Sequence, residues 1–234
     1  SSLVEQSPSY QTNPAWCLLD YLTNTRYGKG LSTDEIDLQS FYDASVVAET
    51  QVTPYSGGSN INIFDTNTAL DTSRNILDNV RELLKGCRGY LPYNAGKYNL
   101  VIETTGSASI TLTEDNIIGG YSLSTPTKND RYNRVIVGFV NPDRNYQVDE
   151  AQFPPIDDSG LPNADQHATM KSADGGFLLE GRFSFSTLTS QYQAEEMAEV
   201  ILRRSREALT LGINVDFNGY DLAIGDIVNI THSS

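Results

Sequence analysis

The sequence predicts an α+β fold: two tandem modules of small β-sheets, each with a packed amphipathic helix, behind an N-terminal helical segment. Three observations carry this expectation. Apolar residues recur at helical spacing near residues 73–87 and again near 191–207. Each of these stripes is followed by segments that alternate around a turn, as hairpin strands do. One stretch, Arg134-Val135-Ile136-Val137-Gly138-Phe139-Val140, is continuously apolar at strand length, which predicts a central strand covered on both faces.

The elements follow in order. Asn13 is placed to cap a helix whose first position is Pro14, where the missing donor costs nothing, and Leu18, Leu19 and Leu22 gather on one side. Gly28-Lys29-Gly30 ends that helix. Ser32-Thr33-Asp34-Glu35 reads as a capping box opening a second helix that carries Ile36, Phe41, Ala44 and Val47. A turn-rich break at Thr53–Asn60 precedes a short strand at Ile61–Phe64.

The clearest helix is expected from Thr72 or Ser73, with Ile76, Leu77, Val80, Leu83, Leu84 and Cys87 as its apolar stripe and Gly86 or Gly89 closing it. Tyr90–Tyr93 and Tyr98–Glu103 flank Asn94-Ala95-Gly96-Lys97 as a hairpin, and Ile110 and Leu112 alternate in the next strand. From Asn141 to about Gly175 the chain turns polar and reads as one long connection. Strands return at Phe177–Glu180 and Arg182–Phe185. A helix from Ser190 follows, opened by a Ser190/Gln193 capping box and buried through Ala194, Met197, Ala198 and Ile201. Asn218-Gly219 between Ile213–Phe217 and Leu222–Ile230 predicts a closing hairpin. The expected division is an N-terminal helical segment at 1–50, a first α+β module at 51–145, and a second at 146–234, joined through the 141–175 connection.

Composition narrows the function classes. At 234 residues and 38% hydrophobic content the chain can bury a core. Thirty acidic against sixteen basic residues leave a net charge of −14, which repels phosphate and argues against nucleic-acid or anionic-membrane binding as its main task. No run approaches the ~18 apolar residues of a membrane helix, so no membrane contact is expected of this piece. The chain opens Ser1-Ser2 without methionine and closes directly after a strand-like run, as a piece of a longer protein would.

Chemistry is sparse. Cys17 and Cys87 sit on separate apolar helix faces, outside any CxxC pair, and are expected as buried free thiols of a reducing compartment. His167 and His232 stand at no metal-ligand spacing and are expected to be solvent-exposed spectators. Asp157, Asp158, Asn163 and Asp165 are oxygen donors but lack the spacing of an EF-hand loop. Gly28-Lys29 and Gly96-Lys97 lack the remainder of a phosphate-binding loop. The expectation is no enzyme, no catalytic or metal-ligating residue and no cofactor. Thirteen tyrosines, among them Tyr55, Tyr93, Tyr121 and Tyr192, offer material for contact surfaces.

One string says more. Asn13-Pro14-Ala15-Trp16, then Leu22-Thr23 and Arg26-Tyr27-Gly28-Lys29-Gly30-Leu31, resembles the Asn-Pro-Ala…Leu-Thr…Tyr-Gly-x-Gly segment of tail tip proteins related to protein J of lambda-like bacteriophages. Matches follow in the family's order: Leu83–Tyr90 with Gly96-Lys97, Thr113–Ile117, Arg131-Tyr132-Asn133-Arg134, Gln193-Ala194 and Gly225-Asp226-Ile227-Val228. The resemblance implies the architecture of phage baseplate-hub domains, in which β-barrel-like modules of three subunits form a ring between tail tube and tip. It therefore implies a structural virion protein that caps the tube, adapts its symmetry and contributes to host attachment. Its partners would be two further copies in a homotrimer and the tail tube, distal tail and tip proteins. Genomic DNA would pass through the lumen without specific binding, and assembly would take place in the cytoplasm of the infected bacterium. Under this reading the acidic surplus lines the lumen, with Glu103, Glu180 and Asp216 as candidates. The alternative reading is a carbohydrate- or protein-binding module of a larger surface or tail protein.

Overall fold

The computed structural model describes residues 9–53, 59–104, 106–125, 127, 130–155, 160–161, 163–207 and 209–231. Helix α1 (Pro14–Thr23) begins as expected: the Asn13 side chain accepts from the Ala15 amide at 3.0 Å, with proline in the first turn. The chain then folds back, the Lys29 amide reaching the Tyr21 carbonyl at 3.1 Å and the Leu31 amide the Leu22 carbonyl at 2.9 Å. A Cβ on Gly28 would run into the Tyr21 carbonyl, so this reversal requires glycine.

The Ser32/Glu35 pair forms, with the Ser32 amide 3.0 Å from the Glu35 carboxylate, but it closes a 3-10 turn at Thr33–Glu35. Ile36 is consequently not helical: it is extended, buried and bridged to Tyr98. Asp37 caps the helix that follows, α2 (Leu38–Ala48), accepting from the Gln39 amide at 3.1 Å. Strands β1 (Gln51–Val52) and β2 (Ile61–Asn62) pair antiparallel. Helix α3 (Ile76–Gly86) starts later than expected because Asp71 takes the Ser73 amide at 2.8 Å and Asn75 becomes the cap. Val80, Leu83 and Cys87 are buried, whereas Ile76 and Leu77 in the first turn are exposed.

The expected hairpin is split into two short ladders. Strands β3 (Gly89–Tyr90) and β6 (Val101–Ile102) pair outside β4 (Tyr93–Asn94) and β5 (Lys97–Tyr98). Ala95 and Gly96, both at positive φ (50° and 83°), make the turn between β4 and β5. Beyond lie β7 (Ile110–Leu112) and β8 (Ser122–Ser124).

Strand β9 (Arg134–Asn141) is central as expected, with Val135, Ile136, Val137 and Phe139 buried. It pairs antiparallel with β10 (Gln147–Phe153) over seven residues, from Gln147–Asn141 to Phe153–Val135. The stretch expected as a polar connection thus contains β10 and also α4 (Gln166–Ala173). The alternation is blurred because Val148 stands on the outward face with Glu150 and Gln152, while Asp149 shares the inward face with Ala151 and Phe153. Strand β11 (Glu180–Ser184) lies parallel to β9 on its other side, giving the order β10-β9-β11. Helix α5 (Gln191–Glu207) covers this sheet with Ala194, Met197, Ala198 and Leu202. Gln193 reaches away from the helix start to the Asn62 carbonyl, 3.3 Å, in place of the expected capping box.

The closing hairpin does not form. Asp216 accepts from the Asn218 amide at 3.0 Å and caps a 3-10 turn at Phe217–Gly219. The flanking strands find other partners: β12 (Thr210–Gly212) pairs antiparallel with β8, and β13 (Val228–Ile230) parallel with β7. The result is a mixed α+β architecture of small sheets, none closed into a barrel among the described residues. It has two apolar cores. One gathers Leu18, Tyr21, Phe41, Leu83 and Ile102 from α1 to β6; the other gathers Val135, Val137, Phe153, Leu188 and Met197 around β9 and α5.

Candidate assembly surface

The two cores meet along a polar seam. The Asn67 amide donates to the Thr187 carbonyl at 3.2 Å, and the Asn67 side chain to Thr189 Oγ1 at 3.2 Å. The Ser186 hydroxyl donates to Glu82 at 2.7 Å. Arg88 Nη1 lies 3.8 Å from Glu196, and Arg204 pairs with Glu103. The Gly86 end of α3 packs on Thr187 so closely that an added Cβ would stand 3.1 Å from the threonine Cβ and clash with its hydroxyl. Hydrogen bonds of this kind fix the relative position of two packed units more than they add net stability.

A second polar knot ties α5 to the loop before β11. Arg206 donates to both carboxylate oxygens of Asp174, at 2.8 and 3.2 Å, and to the Tyr132 carbonyl at 3.0 Å. Asn133, fully buried, donates to Asp174 at 3.0 Å and to the Phe177 carbonyl at 2.8 Å while accepting from the Leu179 amide at 2.9 Å. The Arg206 hydrogen bond holds the Asp174 carboxyl below the usual carboxylate range. His167, expected at the surface, is buried in α4 with Nδ1 3.1 Å from an Arg134 nitrogen. Sequence missed this because helix α4 was unseen, and helix geometry is what turns His167 inward. His232 lies outside the described residues.

Outside both cores, the layer built by β7, β8, β12 and β13 is thinly covered. Leu112 is its buried anchor, while Ile118, Leu123, Leu209 and Ile224 are exposed. Phe217 and Tyr220 stack at 5.3 Å with ring planes 6° apart, yet stand 86% and 77% exposed. Apolar side chains exposed at this density commonly mark a surface that another chain covers. The aromatic residues flanking Asn218-Gly219 carried that signal in sequence, hidden there by the expectation of a hairpin. Among the tyrosines singled out, Tyr93 and Tyr121 are exposed, Tyr192 is half-buried, and Tyr55 lies outside the described residues.

Cys17 and Cys87 are free thiols, on α1 and at the end of α3. Burial pushes Cys87 up to about 12, and burial with the nearby Asp20 and Asp65 charges raises Cys17, so neither is an activated thiolate. Among the described residues no three His, Cys, Asp or Glu side chains group as a metal site would require; Asp157 and Asp158 lie outside them. The three carboxylates expected on a lumen wall have local work: Glu103 pairs with Arg204, Glu180 accepts from Arg182 at 2.9 Å, and Asp216 caps its turn. No described helix is long and apolar enough to cross a membrane.

Comparison with known proteins fits this picture of packing and contact surface. Over 94% of its length the chain is 24% identical to the baseplate hub protein pb3 of Escherichia phage T5, covering 24% of that protein. Over 95% of its length it is 24% identical to the tip attachment protein J of Escherichia phage SECphi27, covering 18% of that protein. The chain thus spans about a quarter or less of the length of these relatives. Residues 75–234, which include α3, the Arg206–Asp174 knot and the exposed apolar layer, match the family described as putative phage tail protein, and to that family this chain belongs.

Proposed function

We propose that this chain is a structural segment of a phage tail tip hub, working through assembly and without catalysis. The observation that carries the reading is the likeness, along nearly the whole chain, to a baseplate hub protein and a tip attachment protein. The exposed apolar layer of β7, β8, β12 and β13 supports it, since a hub subunit must bury such surface against neighbours. In this reading the chain forms a homotrimer, contacts the tail tube and the distal tail and tip proteins, and resides at the tail tip after assembly in the host cytoplasm. DNA passes along an acidic lumen without specific binding, because the −14 charge repels phosphate.

Two tandem modules, at residues 51–145 and 146–234, belong to the same proposal; the presence of two apolar cores supports a two-part organisation, while the pairing of β9 with β10 spans the point of division. Light scattering of the purified chain, combined with negative-stain imaging, tests the assembly. A trimeric mass and ring-shaped particles are expected; a monomer at all concentrations would refute self-assembly through this segment.

A further inference from the structure

A cleft opens between the end of α3 and α5, and the charged side chains that line it are all cations. Its rim carries Arg81, Lys85, Arg88 and Arg204; their carboxylate partners Asp78, Glu82, Glu196 and Glu103 all lie outside the cleft lining, on a chain of net charge −14. Its floor is apolar, with Leu84 and Phe185 beside Met197 and Ile201, and its volume of about 400 Å³ accommodates a few side chains.

Arg88 is the built part of this cleft. Its backbone holds φ at 53°, a left-handed conformation a non-glycine residue adopts only when its surroundings impose it. The side chain is 14% exposed, and the guanidinium lies 5.0 Å from the Phe64 ring centre. Its Nε is buried and has no hydrogen-bond acceptor among the described residues. Glu196, at 3.8 Å, is beyond hydrogen-bond length. Burial lowers the Arg88 guanidinium from its ordinary value; Glu196 opposes this, and the neighbouring Arg204 charge adds to it. Arg88 and Arg204 thus stand at the edge of an apolar floor, Arg204 paired with Glu103 and Arg88 within ion-pair range of Glu196.

We propose that this cleft docks an extended acidic segment of a partner protein, one carboxylate meeting Arg88 and Arg204 while an adjacent apolar side chain seats on Leu84, Met197 and Ile201. Guanidinium groups favour planar oxyanions, and the apolar floor selects for a neighbouring aliphatic group, which a bare phosphate lacks. The overall negative charge repels any anion at long range, but a nucleic acid with a phosphate at every nucleotide more than a short peptide whose carboxylates alternate with apolar residues. Strand β3, whose Gly89 and Tyr90 line the cleft, pairs only with β6 among the described residues.

The test uses the full chain and does not depend on the tail assembly. Fluorescence anisotropy compares a labelled, end-blocked octapeptide of alternating Glu and Leu with the same peptide carrying Gln for Glu, and with an oligothymidine of equal length. The acidic peptide is expected to bind about tenfold or more tighter than its Gln counterpart, with binding weakened by salt. Arg81→Gln with Lys85→Gln, both residues 63% exposed and outside either core, is expected to weaken it several-fold without loss of folding. Arg88→Met should abolish it. Equal binding of the two peptides, no effect of the rim variants, or tighter binding of the oligothymidine would overturn the proposal. So would a self-associated form that the rim variants dissolve, which would make a second copy the occupant.

Discussion

Gly86, at the end of α3, lies against Thr187 with no room for a methyl group: a Cβ would stand 3.1 Å from the Thr187 Cβ and clash with its hydroxyl. This is where the core of α1–β6 meets the core of β9 and α5, so the contact reports on how the two are joined.

Gly86→Ala sets two effects against each other. Helix propensity favours alanine by about 1 kcal/mol, whereas forcing a methyl into a close-packed contact costs about 1–3 kcal/mol. The variant is expected to be less stable by up to about 2 kcal/mol in urea unfolding. Adding Thr187→Ala removes the clashing hydroxyl and should recover part of the loss. Additive losses in the double variant would show that the contact is not the cause.

Asn13 caps α1 and also donates to the Ser45 carbonyl at 3.1 Å and to Glu49 at 2.9 Å, fastening α1 to α2. Asn13→Ala should cost about 1 kcal/mol for the cap and about 1–3 kcal/mol for the buried Ser45 carbonyl it abandons, Glu49 being exposed to water. Asn13→Ser, which keeps the cap alone, should fall between the two. A loss no greater in alanine than in serine would contradict this double role.

The Asp174 carboxyl is held below its ordinary value of 3.8, chiefly by Arg206. A depressed folded value means that this stabilisation is present above about pH 4 and fades as pH falls through the folded value. Arg206→Met should cost about 1.5–3 kcal/mol at pH 7, and its deficit against the parent chain should shrink below about pH 4. A deficit that stays constant with pH would assign the loss to packing.

Cys87 is buried, with its thiol pushed up to about 12, and Cys17 is half-buried and also raised. Ellman's reagent at pH 8 should leave both unmodified on the time scale in which a free surface thiol reacts, and should titrate both in urea. Rapid modification of Cys87 in the folded chain would contradict its placement.

Sequence reading succeeded where one local signal decided the structure. Asn13-Pro14 began α1, the apolar run of 134–140 became the central strand, and Ala95-Gly96 turned β4 into β5. It failed where a short polar side chain chose between two local partners. Asp71 shortened α3, Glu35 closed a 3-10 turn, and Asp216 capped a turn where Asn218-Gly219 suggested a hairpin. An outward Val148 and an inward-facing Asp149 concealed strand β10 in apparent loop, and the unrecognised α4 concealed the burial of His167. The family was legible because its motifs are consecutive residues. The cleft at Arg88 was not, because its parts come from α3, β3 and α5, which meet only in three dimensions.

The central claim, a structural place at the tail tip, is tested most directly by immunogold electron microscopy of virions that carry this sequence, using antibodies raised against the purified chain. Gold at the end of the tail distal to the head is the result expected. Gold confined to the head or spread along the tail shaft, or intact particles containing none of this sequence by mass spectrometry, would contradict the account.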